Sequence, residues 1–190
     1  MRADAAERRQ RLIEVAREIL VERGPNAPLD AIAKQAGVGI ATLYRNFPTR
    51  EALLEAVAVA SLTEAHSAAV SATELADTDP ERALTEFLMA MARFRTGALL
   101  PMLADQSLSE LPASVHKARA RNIEIIDDLL AKTAAAGVTR PDIDTIQFIS
   151  GLALLTRPLP PLAEVLPANN IERLLTIYQA GLRPDGKPLP

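Results

Sequence analysis

The chain has 190 residues, a length that suits one compact unit or a small module joined to a larger one. Hydrophobic residues make up 48% of it and aromatic residues only 3%, which indicates an ordered core of aliphatic side chains and argues against disorder. There is no cysteine, so disulfides and Cys-ligated metals are excluded.

The N-terminus lacks the apolar core of a signal peptide, and we expect no apolar run to reach the length of a membrane span. We therefore expect a cytoplasmic protein with no membrane partner. The net charge of −3 is unevenly distributed: residues 1–50 carry net +3 and residues 51–190 carry net −6. The basic N-terminal part is thus the candidate for binding a polyanion.

Three helices are predicted within residues 1–48. The first repeats apolar residues at the helical period and should end at Gly24. The second covers PLDAIAKQAG and should end at Gly37. The third runs from about Ile40 to Asn46. We expect the apolar side chains at positions 43 and 47 to face the first two helices, because residues four apart share one face of a helix.

Residues 49–190 predict further helices and no strand. Thr49 is placed to cap a long fourth helix. Amphipathic stretches follow near 81–95, 103–108 and 114–136, and two strongly apolar helices are expected at about 142–156 and 169–182. The sequence therefore predicts an all-α fold of about nine helices, with a three-helix head at 1–48 on a larger body at 49–190.

The second and third helices, joined by a turn at residues 37–39, have the pattern of a helix-turn-helix, whose second helix enters the major groove of DNA. Leu43 and Phe47 would anchor the third helix to its own domain. The outward face then carries five side chains: Ile40, Ala41, Thr42, Tyr44 and Arg45.

Each residue type on this face has a suitable partner on DNA. The hydroxyls at positions 42 and 44 suit phosphate oxygens, which set the register of a protein on the duplex. Arg45 can fork onto guanine O6 and N7, and Ala41 or Ile40 can touch a thymine methyl group. Gly39 lets a phosphate approach the start of the helix closely. Arg50, at the head of the next helix, can add a further phosphate contact.

The residues alone leave alternatives open. Short glycine-bounded helix pairs also occur in proteins that never touch DNA, so a helical protein-interaction module is the second interpretation. An enzyme is the third, but the sequence offers no cysteine, no Gly-rich phosphate loop and no serine elbow. His66 and His116 are isolated, so we expect neither a metal, a cofactor nor catalysis.

The stretch LDAIAKQAGVGIATLYRNFPTREALLEAV resembles the DNA-binding region of TetR-type transcriptional regulators. The family pattern is matched at Ala36, Gly37, Val38, Thr42, Leu43, Tyr44, Phe47, Thr49, Arg50, Glu51 and Leu53. Two positions depart from it: Gly39 stands where the family usually has Ser, and Pro28 where a Thr often caps the second helix. These departures shift the expected backbone contacts toward Thr42, Tyr44 and Arg50.

The resemblance implies a repressor that a small-molecule effector releases from a palindromic operator. It also implies a homodimer formed by the last two helices, and the wide apolar faces of these helices favour the same arrangement. A two-fold dimer would place two recognition helices on double-stranded DNA at a palindromic spacing. The candidate dimer residues are Ile146, Ile149, Ser150, Ala153, Leu174 and Tyr178.

The resemblance further implies an effector pocket inside the body, for a small molecule of unknown identity. The candidate lining residues are Phe87, Met91, Phe94, Met102, Asn122, Ile126, Phe148 and Leu152. For any single apolar residue among them, filling the core is the simpler interpretation.

Overall fold

A computed structural model describes residues 2–24, 26–95, 97, 111–157, 167 and 169–185. These ranges hold eight helices and no strand, as the all-α prediction requires: α1 (Arg2–Arg23), α2 (Leu29–Gln35), α3 (Ile40–Asn46), α4 (Arg50–Leu75), α5 (Pro80–Arg93), α6 (Ala113–Ala135), α7 (Thr145–Leu155) and α8 (Asn170–Gly181). The short helix predicted at 103–108 lies outside the described residues.

The N-terminal head has its own apolar core, built by α1, α2, α3 and the start of α4. Leu12 and Ile19 of α1 and Ile32 of α2 are fully buried in it. Leu43 and Phe47 also lie there, which confirms that they anchor the third helix. Burying a side chain of this size contributes about 1.5–3 kcal/mol, so the two anchors hold α3 in place.

Helix α4 belongs to both parts of the molecule. It begins as predicted at Thr49, whose Oγ1 accepts a hydrogen bond of 3.1 Å from the backbone N–H of Ala52. Its first turns place Leu53 and Val57 in the core of the head, and its later turns place alanines such as Ala69 in the core of the body. A domain boundary after residue 48 therefore stays a prediction, since the core of the head continues into α4.

Contrary to expectation, one helix passes the length and composition test for a membrane span: α4 is the candidate among the described residues. This is weak evidence for a span, because the core helix of a folded domain passes the same test. The buried side chains of α4 are divided between two protein cores.

The body packs α5, α6, α7 and α8 around the second half of α4. Three aromatic rings form its centre: Phe87 of α5 lies 6.1 Å from Phe148 of α7, and Phe148 lies 6.0 Å from Tyr178 of α8, measured between ring centroids. Small alanines on α4 allow the neighbouring helices to approach closely, which suits a core with few large side chains.

Helix α7 is held at its start and at its middle. Asp144 and Gln147 form a capping box, in which the Asp144 side chain accepts from the Gln147 N–H at 2.8 Å and the Gln147 side chain accepts from the Asp144 N–H at 3.2 Å. Tyr178 donates its hydroxyl to the Phe148 carbonyl at 2.9 Å. Gly151 leaves room for that ring, because a Cβ there would lie 2.7 Å from the Tyr178 oxygen.

Candidate nucleic-acid interface and effector cavity

The turn between α2 and α3 sets the direction of the third helix. Gly37 has a φ of +71°, a left-handed conformation that favours glycine. The Val38 N–H closes the turn on the Ala33 carbonyl at 3.0 Å. Gly39 then starts α3 with an extended backbone, and its carbonyl accepts from the Thr42 N–H at 2.8 Å.

The predicted contact residues share one exposed side of α3. Ile40, Ala41, Tyr44 and Arg45 are exposed, Tyr44 by 48%, and Thr42 is half-buried. Positions i, i+1, i+4 and i+5 form a stripe along a helix, opposite the two buried anchors. The stripe combines aliphatic, aromatic and cationic side chains, which suit the base edges and the backbone of a nucleic acid.

Arg45 lies along its own helix. Its Nε donates to the Ala41 carbonyl and its Nη2 to the Thr42 Oγ1, both at 3.2 Å. Both bonds are at the long end of the normal range, so the guanidinium can exchange them for acceptors on a base.

Arg50 has a structural contact within the head. It is half-buried, and its Nη2 donates to the Ala27 carbonyl at 2.8 Å. This bond ties the start of α4 to the segment before α2. The predicted phosphate contact of Arg50 is an additional role that stays a prediction.

Arg9 is a basic residue of the head that sequence reasoning missed. Its Cζ lies 4.7 Å above the centroid of the Phe47 ring, a cation–π contact that places an exposed cation next to the end of α3. The available signal was its location on the charged face of the first helix. Arg9 adds positive charge near the C-terminal end of α3.

A cavity of about 400 Å³ lies in the body, lined by residues of α4, α5, α6 and α7. Five of the predicted pocket residues line it: Phe87, Met91, Asn122, Ile126 and Leu152.

Two predicted pocket residues, Phe94 and Phe148, are not among the described residues that line the cavity. Phe94 lines a separate, more open groove between α4 and α5. Phe148 is fully buried in the aromatic centre of the body, so its placement in the pocket was wrong. Its ring packs against the rings of Phe87 and Tyr178. Met102 lies outside the described residues.

Two polar cavity residues, Ser61 and Arg119, were missed by sequence reasoning. Ser61 is 4% exposed and Asn122 6% exposed, and neither the Ser61 hydroxyl nor the Asn122 Oδ1 has a hydrogen-bond partner among the described residues. Leaving a buried polar atom unpaired costs about 1–3 kcal/mol, so both atoms are candidates for a hydrogen bond to a ligand or a water molecule. Ser61 could have been found as a polar residue between Ala58 and Ala65 on the inward face of α4.

The candidate dimer residues are placed unevenly. Ile146 and Ser150 are exposed, whereas Ile149, Leu174 and Tyr178 are half-buried. The expectation for Ala153 was wrong, since it is 5% exposed and belongs to the interior. Four of the six candidates also line the cavity: Ile146, Ile149, Ser150 and Ala153.

The most exposed large apolar side chains on the last two helices are ones that sequence reasoning did not choose. Leu154 of α7 is 69% exposed and Ile177 of α8 is 68% exposed. Exposed apolar side chains on adjacent helices are typical of a surface that another protein covers. Within the described ranges no cluster of His, Cys, Asp or Glu residues is suited to hold a metal ion.

Comparisons with known proteins agree with this arrangement. Residues 12–57 match the model of the tetR family of bacterial regulatory proteins, and residues 79–184 match the C-terminal domain of SbtR-like transcriptional regulators. An HTH-type transcriptional regulator of Staphylococcus aureus is 44% identical over 54 residues. That match spans 28% of this chain and 29% of the relative.

Solved structures extend the likeness to nearly the whole chain. A TetR regulator from Mycobacterium vanbaalenii is 32% identical with a TM-score of 0.66, over 96% of this chain and 98% of that one. Another from Streptomyces coelicolor is 31% identical with a TM-score of 0.66, over 94% and 99% of the two chains. The helix-turn-helix head, the all-helical body and both family matches agree: the chain belongs to the TetR family of bacterial transcriptional regulators.

Proposed function

We propose that the chain represses transcription by binding a palindromic operator as a homodimer, and that a small-molecule effector releases it. The observation that carries this proposal is the exposed stripe of α3, held outward by the buried Leu43 and Phe47. It combines one cation, one phenolic hydroxyl and two apolar side chains, with the half-buried Thr42 hydroxyl beside it, and these groups suit base edges and phosphates in a major groove.

The path from effector to DNA runs along α4. The last buried residue that α4 contributes to the core of the head is Val57, and the lining of the cavity begins at the next residue, Ala58. A ligand that prefers one tilt of α4 therefore acts directly on the position of the head. In a dimer, such a tilt changes the spacing of two heads that must reach successive grooves about 34–36 Å apart.

The dimer is supported by the exposed Leu154 and Ile177 on α7 and α8. A two-fold partner would cover these side chains and supply the second recognition helix. A function on DNA places the protein in the cytoplasm, and no catalytic role or cofactor forms part of the proposal.

Selection of bound duplexes from a random pool tests the proposal. We expect a symmetric consensus, bound with an affinity that falls steeply with salt, because each neutralised phosphate contributes about −0.9 to the slope of log K against log [salt]. Replacing Lys117, an exposed cation on the body, with Ala is the control and should leave the slope unchanged. Absence of duplex binding in dilute salt would instead favour a protein-interaction module.

A further inference from the structure

Three of the four polar residues that line the body cavity lie where α4 meets α6, and the fourth, Ser150, lies on α7 in a lining that is otherwise apolar. Ser61 on α4 and Arg119 and Asn122 on α6 form what we call the polar patch. Asn122 donates to the Leu62 carbonyl at 2.9 Å, so it sits against the α4 turn that carries Ser61. Arg119 precedes Asn122 by one helical turn, and such residues are neighbours on a helix surface.

The orientation of the Asn122 amide is set by its own hydrogen bonds. Its Nδ2 donates to the carbonyls of Leu62 and Ala118, both at 2.9 Å. Oδ1 is therefore the atom left without a partner, and a carbonyl oxygen can only accept. A ligand group that pairs with it must donate a hydrogen.

The Ser61 hydroxyl, also without a partner, can donate as well as accept. One ligand hydroxyl can donate to Asn122 Oδ1 and accept from Ser61, which satisfies both buried atoms at once. A ligand carbonyl could not pair with Asn122. An ammonium group could donate to both atoms, but it would then lie beside the Arg119 guanidinium.

Arg119 decides the charge of the ligand. It is the one charged residue among the described lining residues, and no carboxylate pairs with it in the described part of the chain. A half-buried, unpaired guanidinium favours an anion, above all a carboxylate, which it can bind in two-point fashion.

The rest of the lining is mostly aliphatic, with isoleucines and leucines from α6 and α7 and one aromatic ring, Phe87. Such walls fit an alkyl chain or an alicyclic skeleton, and offer little face-to-face stacking for an aromatic ligand. The volume of about 400 Å³ falls within the range of small-molecule sites, roughly 300–1,000 Å³.

We propose that the cavity binds an aliphatic acid that carries a hydroxyl close to its carboxylate, such as a medium-chain 3-hydroxy acid. The carboxylate pairs with Arg119, the hydroxyl joins Asn122 and Ser61, and the chain lies against the aliphatic walls. The two polar groups must sit at one end of the ligand, because the polar patch spans a single turn of α6. This proposal rests on the proposed function only in taking the cavity as the effector site.

Isothermal titration calorimetry of the full chain without DNA tests the ligand class. The probes, used below their micellar concentrations, are 3-hydroxydecanoate, decanoate and decyltrimethylammonium. We expect 3-hydroxydecanoate to bind once per protomer, decanoate about 10-fold more weakly because both buried atoms stay unpaired, and the cation more weakly still. Equal affinity for the two acids would show that water satisfies the patch, and would overturn the proposal, as would tighter binding of the cation.

Variants assign the roles. Arg119→Met should weaken the binding of 3-hydroxydecanoate about 10-fold and leave the affinity for its neutral methyl ester unchanged. Arg121 is an exposed arginine on the same helix, and Arg121→Met should change neither affinity. Ser61→Ala should reduce the preference for the hydroxylated acid to about 3-fold or less. An equal loss for acid and ester in Arg119→Met would overturn the charge assignment, and circular dichroism confirms that each variant is folded.

Operator binding by the ligand-free protein is measured separately, so the two proposals can fail independently. If the chain binds 3-hydroxydecanoate with the expected selectivity but binds no duplex, the proposed function is refuted and the proposed ligand class stands. A chain that binds its operator but shows no saturable heat with 3-hydroxydecanoate at about 1 mM refutes the ligand class and keeps the function.

Discussion

Arg45 and Tyr44 are adjacent on α3, and we expect Arg45 to contact a base and Tyr44 to contact a phosphate. Arg45 rests on two acceptors of its own helix at 3.2 Å, so it must exchange these bonds to reach a base. Tyr44 is 48% exposed, and its stiff ring has few rotamers. A base contact depends on sequence, whereas a phosphate contact does not.

Replacing Arg45 with Ala is expected to cost about 1–3 kcal/mol on the preferred operator and little on random DNA, because a base contact is lost. Fluorescence anisotropy with both duplexes measures the difference. Arg23→Ala, an exposed arginine at the end of α1, is the matched control. An equal loss on both duplexes would contradict base readout by Arg45.

The Tyr44→Phe variant removes one hydroxyl and keeps the ring. We expect a loss of about 0.5–1.5 kcal/mol on every duplex alike, since a phosphate contact carries no sequence information. The same anisotropy assay provides the measurement. A loss confined to the operator would assign Tyr44 to a base instead.

Tyr178 should make stability depend on pH. Burial raises the pKa of its phenol to about 12, from an ordinary value of 10.0. The folded state therefore holds this proton more tightly than the unfolded state, so the stabilisation is complete below about pH 10 and is lost as pH rises toward 12. Between about pH 9 and 11.5, the free energy of unfolding measured with urea should fall more steeply for the wild type than for Tyr178→Phe. Parallel plots of this free energy against pH would contradict the prediction.

At the scale of elements, the contact between α7 and α8 is centred on Tyr178. Tyr178 stacks on Phe148, donates to its carbonyl and fills the space above Gly151. A helix interior normally prefers Ala to Gly. Here that preference is reversed, because a methyl group would occupy the position of the ring.

Gly151→Ala is therefore expected to destabilise the fold by about 1–3 kcal/mol, the usual cost of overpacking. Gly181→Ala is the control, since no described atom beyond its own helix and chain neighbours lies within 4 Å of a Cβ at that position, and the change should be neutral or slightly stabilising. Urea unfolding at one fixed protein concentration measures both. A Gly151→Ala variant as stable as the control would show that the ring moves without cost.

At the scale of the whole molecule, the cavity and the candidate dimer surface share residues of α7. Ile146, Ile149 and Ser150 were predicted at the interface and also line the cavity. Helix α7 thus has two candidate partners, a ligand in the cavity and a second copy of the chain, and the same side chains are candidates for both contacts. Effector and dimer can influence one another through this helix as well as through α4.

Replacing Ile177 with Glu tests the interface. An exposed charge costs a monomer little, but a buried unpaired charge at a dimer interface is strongly unfavourable. We expect this variant to sediment as a folded monomer with much weaker operator binding, while Ala131→Glu, exposed on α6, remains like the wild type. Sedimentation velocity is the measurement, and an unchanged sedimentation coefficient for Ile177→Glu would exclude α8 from the interface.

Local chemistry made the head predictable from its residues. Helical spacing placed Leu43 and Phe47 inward, and the left-handed turn at Gly37 and the cap at Thr49 depend only on residues a few positions away. The exposed stripe of α3 followed from those anchors. Helical spacing and capping involve residues within one or two turns, so they can be predicted without knowing which helices pack against them.

The body was decided by contacts between distant segments. Phe87 lines the cavity whereas Phe148 is enclosed by rings, and Ala153 is buried whereas Leu154 is exposed. Nothing in the sequence separates these pairs, since α7 is apolar on nearly every side. The sequence by itself determined the helices, the head and its recognition face. Only the tertiary structure decided which side chains fill the core, line the cavity or remain exposed, because burial depends on neighbours that lie far away along the chain.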